Sequence, residues 1–293
     1  MMVKRRNARW FILLVAGAGF GLALQAQAPG EEASKPQGPY VGQAPPGTEP
    51  VVFAPGFVCK GPTNEYGCTF TPDGTEFYFS RNGNTLSTVL QPDGWPKPRK
   101  TPWNTPKIEM EPHVTADGTK LWFSSDRKWQ GAAVGPGIWV MDRVGTGWGE
   151  PRYHCPGMYP TTAANGNLYY TDLENAEGAR IVMQRFEDGE YAPMEPLGDE
   201  VNAVLPNAHP CIAWDESFLV FDSTRPGGPA APWHLYVSFR LPDGAWSEPK
   251  RIVETGESNI ASLSPDGMYL FYNSGREIYW VSTEILERYR PVP

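Results

Sequence analysis

The sequence predicts an all-β fold, a five-bladed β-propeller, and three observations carry that reading. A module recurs five times between Gly67 and Tyr279, a tight-turn residue marks each copy, and the last copy lacks its final strand. The first halves read GCTFTPDGTEFYFSR (67–81), PHVTADGTKLWFSSDR (112–127), PTTAANGNLYYTDL (160–173), PCIAWDESFLVFDSTR (210–225) and ASLSPDGMYLFYNSGR (261–276). Their turn residues Asp73, Asp117, Asn165, Asp215 and Asp266 lie 44, 48, 50 and 51 residues apart. A period of about 45 residues with several short strands per unit is the signature of small sheets arrayed around one axis.

Taken in order, the chain opens on a targeting pattern. Lys4, Arg5, Arg6 and Arg9 form a basic head, 10–24 is a largely apolar run too short for a membrane span, and Ala26 and Ala28 are small. The expectation is a signal peptide over 1–26, cut after Ala26 because Pro29 sits badly just past a cut at Ala28; an uncleaved anchor is the alternative. No Cys flanks the apolar run, so no lipid attachment is indicated. Residues 27–48, rich in Pro, Gly, Gln and Glu, read as a flexible linker, and 49–293 as a single β-propeller domain. Without 1–26 the chain keeps 21 cations against 33 acids, a net charge of −12. That balance argues against nucleic acid and anionic lipid as partners, since binding phosphates takes clustered Lys and Arg.

The second module shows how one unit is built. Residues 112–116 form a first strand, Asp117-Gly118 a two-residue turn, and 119–125 a second strand of alternating aromatic and polar residues. A longer loop leads to a third strand at 137–143, and a fourth, edge-type strand begins at Trp148-Gly-Glu-Pro151. The Trp–Pro phrase recurs as Trp95…Pro98 and Trp246-Ser-Glu-Pro249, and proline suits an outer strand because its missing N–H then faces solvent. After the fifth module's third strand no such phrase follows. Glu49-Pro-Val-Val-Phe53 resembles Glu248-Pro-Lys-Arg-Ile252, so the N-terminal segment is expected to supply the last blade's outer strand and remove the open edges. Five blades follow from this count, with a sixth, degenerate blade inside 29–60 as the alternative.

Ser264-Pro-Asp-Gly267 and Thr71-Pro-Asp-Gly74, then Thr115-Ala-Asp-Gly118 and more loosely Asp215-Glu216, resemble the repeat turn of the TolB-type, WD-repeat-like β-propeller family. The resemblance covers about 49–282; module three departs from it, with Asn165-Gly166 at the turn and no Arg after its second strand. It implies a fold and leaves function open, because such propellers serve as scaffolds, periplasmic binding modules and occasionally enzymes.

Up-and-down strands place the tight turns on one face; the loops between strands two and three and the inter-module links gather on the other. The long loops 128–136 and 226–233 make that second face the expected binding face. Aligned on the turn residue, Glu65 and Glu109 share one position with Asn207 and Ser258, while Glu111, Tyr159 and His209 share another. His113 lies two residues beyond Glu111, and Arg81, Arg127, Arg225 and Arg276 leave strand two, with Asp126 and Asp222 nearby. Acids and arginines in this pattern either line a channel-mouth site or pair as structural, bidentate locks. His113 and His209 with Glu65 or Glu111 are the candidate metal ligands by type, but no His-x-x-x-His spacing supports them, so no metal and no cofactor is assigned. Trp129 and Trp233, inside the long loops, are candidates for stacking on a sugar or peptide, or else loop anchors. The four cysteines permit disulfides, with Cys59–Cys68 the first choice of pair and Cys155–Cys211 the second, and free, half-buried thiols as the alternative.

No Gly-x-Ser-x-Gly and no phosphate-cradling glycine loop occurs. The leading expectation is an exported, non-enzymatic binding or protein-interaction module of the periplasm or beyond, with an envelope protein, peptide or glycan on the long-loop face. The alternative is a carbohydrate-active lyase or hydrolase using channel-mouth Glu and His, with or without a metal.

Overall fold

A computed structural model describes residues 34–129 and 136–292, and from Lys35 onward the chain forms one compact unit. The expected signal peptide and residues 130–135 of the blade 2 loop lie outside the described residues. Five antiparallel four-stranded sheets follow one another along the chain. Blade 1 comprises Glu65–Phe70, Glu76–Arg81, Asn84–Val89 and Arg99–Lys100. Blade 2 comprises Glu109–Val114, Lys120–Ser125, Gly137–Val144 and Arg152–Pro156, with Gly147–Trp148 as a short extra pairing on its third strand. Blade 3 is Met158–Thr162, Leu168–Asp172, Arg180–Gln184 and Glu195–Pro196, and blade 4 is Asn207–Ile212, Phe218–Ser223, His234–Phe239 and Lys250–Arg251. Blade 5 takes Asn259–Leu263, Tyr269–Ser274 and Glu277–Ser282 from the C-terminal end and Val51–Val52 from the N-terminal end.

The closing strand is therefore where the missing phrase placed it. Val51 pairs with Trp280 and Val52 with Tyr279, and the Phe53 N–H donates to Ile278 O at 2.8 Å. The outer strands begin just after the Trp–Pro phrases rather than within them. Each Trp is an anchor: Trp95 Nε1 donates to Gly38 O at 2.8 Å, Trp148 Nε1 donates to Tyr78 Oη at 2.8 Å, and Trp246 packs between blades 3 and 4.

Five apolar clusters fill the five seams. The blade 5–blade 1 seam holds Phe53, Phe70, Phe77, Phe271 and Trp280; the next holds Leu121, Phe123 and Met141; then come Trp122, Leu168 and Val182; Tyr169, Leu219 and Phe221; and Val220, Leu270 and Val281. Each blade is too thin to bury both faces alone, so stability comes from neighbours. At about 1.5–3 kcal/mol for each fully buried large side chain, these seams dominate the stabilisation.

The repeat turns are Asx turns in every blade. Asp73 Oδ1 accepts from Thr75 N at 3.1 Å, Asp117 from Thr119 N at 3.0 Å, Asn165 from Asn167 N at 3.0 Å, Asp215 from Ser217 N at 3.0 Å and Asp266 from Met268 N at 3.0 Å. Blade 3 thus keeps the turn despite its divergent sequence, because Asn offers the same oxygen.

Neither expected disulfide forms, and the alternative holds: all four cysteines are free thiols. Cys59 Sγ turns to the backbone of Ile278, accepting from its N–H at 3.2 Å, while Cys68 Sγ turns to Ser262 Oγ at 3.5 Å. The two side chains are committed to different neighbours, and burial pushes both thiols up to about 12. Cys155 sits beside the Tyr170 hydroxyl, and Cys211 is buried on the inner strand of blade 4. Among the described residues no helix is long and apolar enough to cross a membrane.

Candidate functional site

The inner strands carry a shared irregularity. In each, the register slips by a β-bulge, at Gly67, Glu111, Tyr159, His209 and Ile260 in blades 1 to 5, and each of these residues has positive φ, between 48° and 60°. Four of the five are not glycine, so the fold imposes a conformation that L residues adopt at a cost of about 1 kcal/mol or more.

A side chain from the preceding blade holds each bulge. Glu111 N donates to Ser80 Oγ at 2.7 Å, Tyr159 N to Ser124 Oγ at 2.8 Å, His209 N to Thr171 Oγ1 at 2.9 Å and Ile260 N to Asp222 Oδ1 at 3.1 Å. Asn273 completes the ring in another way, donating from Nδ2 to Glu65 O at 2.8 Å. Ser80, Ser124, Thr171, Asp222 and Asn273 occupy equivalent places on the second strands. Asp222 is the single ionisable group among them.

The bulged residues meet across the axis. A Cβ on Gly67 would lie 3.4 Å from Glu111 Cγ and 3.5 Å from Ile260 Cγ2. His209 Nε2 faces Glu111 Oε1 at 3.8 Å, and the Tyr159 ring stands edge-on to His209 with centroids 5.1 Å apart. Tyr159 Oη donates to Ala261 O. Contacts between blades 2 and 4, and between 3 and 5, join blades that are not neighbours in the ring. They can be made only through the centre, so these side chains plug the channel. One layer along, Thr69, His113, Thr161, Cys211 and Ser262 line a cavity of about 10 Å³, room for about one water.

Electrostatics concentrate at His209. Burial pulls its pKa down, but the charge and hydrogen bond of Asp222, 2.9 Å from Nδ1, and then the Glu111 charge more than offset that, leaving it raised. Glu111, 3% exposed, is raised chiefly by burial, and its Oε2 has no hydrogen-bond partner among the described residues. The arrangement favours a proton on an imidazole set between two carboxylates. It does not present a free base, because Nδ1 serves Asp222 and Nε2 faces Glu111.

His113 is placed differently. Its Nε2 accepts from Thr162 N at 2.9 Å, just as Thr69 Oγ1, its counterpart in blade 1, accepts from Val114 N at 3.2 Å. Burial depresses its pKa to about 3, so it stays neutral. The two candidate metal histidines thus serve separate partners, and the described residues contain no group of three or more His, Cys, Asp or Glu arranged to hold a metal.

Arg81, Arg127 and Arg225 pair within their own blades. Arg81 Nε donates to Glu65 Oε1 at 2.7 Å and Nη2 to Val58 O at 2.6 Å. Arg127 spans Glu109, with Nε 3.2 Å from Oε1 and Nη2 2.8 Å from Oε2; at that distance the charge contact stands although the Nη2–H direction is off the oxygen. Arg225 Nη2 donates to Asn207 Oδ1 at 2.9 Å and to Val201 O at 2.6 Å. The guanidinium carbons of Arg81, Arg127 and Arg225 lie 5.1–5.2 Å from the ring centroids of Phe79, Phe123 and Phe221. Arg276 is exposed and reaches Pro62 O at 3.3 Å. The first three lock each blade to its incoming linker, at Val58, Trp103 and Val201, whereas Arg276 touches the segment entering blade 1.

On the long-loop face, Trp129 is 50% exposed. One face of its indole stacks on Tyr153, with centroids 5.9 Å apart and planes 14° apart, and Trp139 meets it edge-on. Trp233 is half-buried, and its carbonyl accepts from Ser258 N at 3.0 Å. Sequence reasoning left Tyr153 and the latch residues Ser80, Ser124, Thr171 and Asn273 out of the site, and took Asp222 only as an acid near the arginines, not as the partner of His209. Asp222 carried a signal, as the one acid at a position otherwise held by Ser, Thr or Asn.

No protein-family model matches the chain, and no curated protein matches it by sequence. Similar solved structures include a protein assigned as TolB from Agrobacterium tumefaciens, 20% identical, covering 72% of this chain and 70% of that one with a TM-score of 0.51. TolB from Acinetobacter baumannii is 15% identical over 75% of this chain and 48% of that one, with a TM-score of 0.45. A gluconolactonase from Xanthomonas campestris is 14% identical over 74% of this chain and 85% of its own, with a TM-score of 0.43. In fold, the chain resembles the TolB-type β-propellers.

Proposed function

We propose that the chain is an exported, non-enzymatic binding module whose partner docks on the long-loop face. The observation that carries this reading is the Trp129–Tyr153 stack, a flat aromatic surface half open to solvent on a rigid blade. Such a surface suits a sugar ring or an apolar peptide side chain. The closed channel is consistent with it, since His209 and Glu111 face each other and not an open cleft. Export rests on the basic head and apolar run at 4–24.

A comparison of wild type with Trp129→Ala tests the proposal. Pull-downs from envelope extracts, with crosslinking to site the contact, and a glycan thermal-shift screen should both show a partner for wild type. That signal should fall at least about tenfold in the variant, as for loss of an interface anchor, while Tm stays the same. Equal capture by both proteins, or crosslinks that map away from blade 2, would overturn the reading.

A further inference from the structure

On the opposite, tight-turn face, the seam between blades 5 and 1 opens into a groove of about 410 Å³. Pro72 and Asp73 form one wall, Pro265 and Asp266 the other, and Tyr40 and Phe70 lie between them. We propose that this groove binds an extended peptide segment presenting an arginine, its stem along Tyr40 and Phe70 and its guanidinium between Asp73 and Asp266.

Charge complementarity selects the occupant. Hydrogen bonds hold both carboxylates below their ordinary range, Asp73 chiefly through Thr71; burial opposes this at Asp266, where Ser264, Met268 N and Tyr40 prevail. Among the described residues, hydrogen bonds rather than ion pairs are the chief lowering influence on both. Asp73 spends Oδ1 on its turn, and its Oδ2 accepts no hydrogen bond among the described residues. Asp266 Oδ2 accepts from Tyr40 Oη at 2.9 Å. Two ionised groups flanking an aromatic floor favour arginine, whose planar guanidinium both stacks on rings and forks onto carboxylates.

The groove is built before any ligand arrives. Residues 35–42, within the stretch expected as a flexible linker, are instead strapped to blade 1: Lys35 Nζ pairs with Asp93 at 2.5 Å and Trp95 N donates to Pro36 O at 2.9 Å. Tyr40 is then fixed edge-on to Phe70 and Tyr269, with centroids 5.7 and 5.3 Å away. The seam between blades 2 and 3 shows what the strap adds. Its cleft is only about 70 Å³, and Lys120 already stands among its lining residues. This proposal stands apart from Trp129 and from the reading built on it.

Fluorescence anisotropy of the full chain with a labelled acetyl-Gly-Pro-Arg-Pro-Gly-amide peptide tests the proposal. Saturable binding is expected, about tenfold weaker for Asp73→Asn/Asp266→Asn, the size of two partly exposed ion pairs. Raising salt from about 0.05 to about 0.5 M should weaken it further. Trp129→Ala should bind as wild type does. Asn keeps the turn oxygen, and if Asp266→Asn loosens Tyr40, Asp73→Asn alone should still lose about threefold. No saturable binding, equal binding of the glutamate counterpart peptide, or full affinity in the Asn variants would overturn the proposal.

Discussion

Replacing Asp222 with Asn should remove about 3 kcal/mol of stability and flatten the protein's pH response above neutrality. Asn keeps an acceptor for the Ile260 N–H, so the blade 4–blade 5 latch survives. What goes is the charge beside His209, with its hydrogen bond at 2.9 Å between a fully buried carboxylate and an imidazole 13% exposed. A hydrogen bond to a charged group contributes about 1.5–3 kcal/mol, and breaking a buried pair costs about 3–5 kcal/mol, so the retained acceptor places the variant near the middle. His209 has its folded pKa raised from 6.5. Its contribution is therefore complete below pH 6.5 and is lost as pH climbs through the raised value, at no more than about 1.4 kcal/mol per pH unit for one proton. Glu111, raised from 4.5, acts with the same sign from a lower starting pH, and a Glu111→Gln background separates the two. In the Asn variant the Asp222 charge no longer offsets burial, so the fall above pH 6.5 should vanish. Urea unfolding followed by Trp fluorescence, at half-unit steps of pH, measures this. A loss under about 0.5 kcal/mol, or an unchanged slope, would refute the clamp.

Phe53→Ala should cost about 3–5 kcal/mol in the same urea assay, because the ring is fully buried against Phe70, Phe77, Phe271 and Trp280 where the ends of the chain meet. A cost near that of a surface substitution would mean that the closing strand contributes little. At His113 the repeat supplies its own control: His113→Thr restores the hydroxyl that Thr69 uses in blade 1 and should cost less than His113→Ala, which leaves Thr162 N unpaired at about 1–3 kcal/mol. Because the folded pKa is depressed to about 3, His113 lowers stability as pH falls below 6.5, and either substitution should remove that part of the acid sensitivity. Matching costs for Thr and Ala would discard the clasp.

The parts legible in the sequence were those that repetition states outright. Asp-Gly turns, aromatic second strands and a missing Trp–Pro phrase each report a local geometry, and together they placed Val51 on Trp280. The Arg–acid recurrence was likewise visible, and its resolution into Arg81–Glu65 and Arg127–Glu109 follows from their shared place in the module. Cysteine pairing was not legible, because the separation of Cys59 from Cys68 says nothing about where the side chains point. Nor was the left-handed bulge, since Glu111, Tyr159, His209 and Ile260 give no hint of positive φ; only Gly67 does.

In a repeat protein the copies act as an internal alignment, and departures from the common residue carry more information than the common residue itself. His113 departs from Thr69 yet accepts the same kind of backbone N–H, so that departure is neutral. Asp222 also keeps the latch, to Ile260 N, but adds a charge, and that charge faces a histidine where the other blades place Gly67, Glu111, Tyr159 and Ile260. Two departures meeting in space are not what a lone structural latch requires, since Ser or Thr suffices in three other blades. The Asp222–His209 pair is thus the one place in the ring where the sequence spends an ionic interaction on a job that a hydroxyl does elsewhere, and its pH dependence is the property a hydroxyl could not supply.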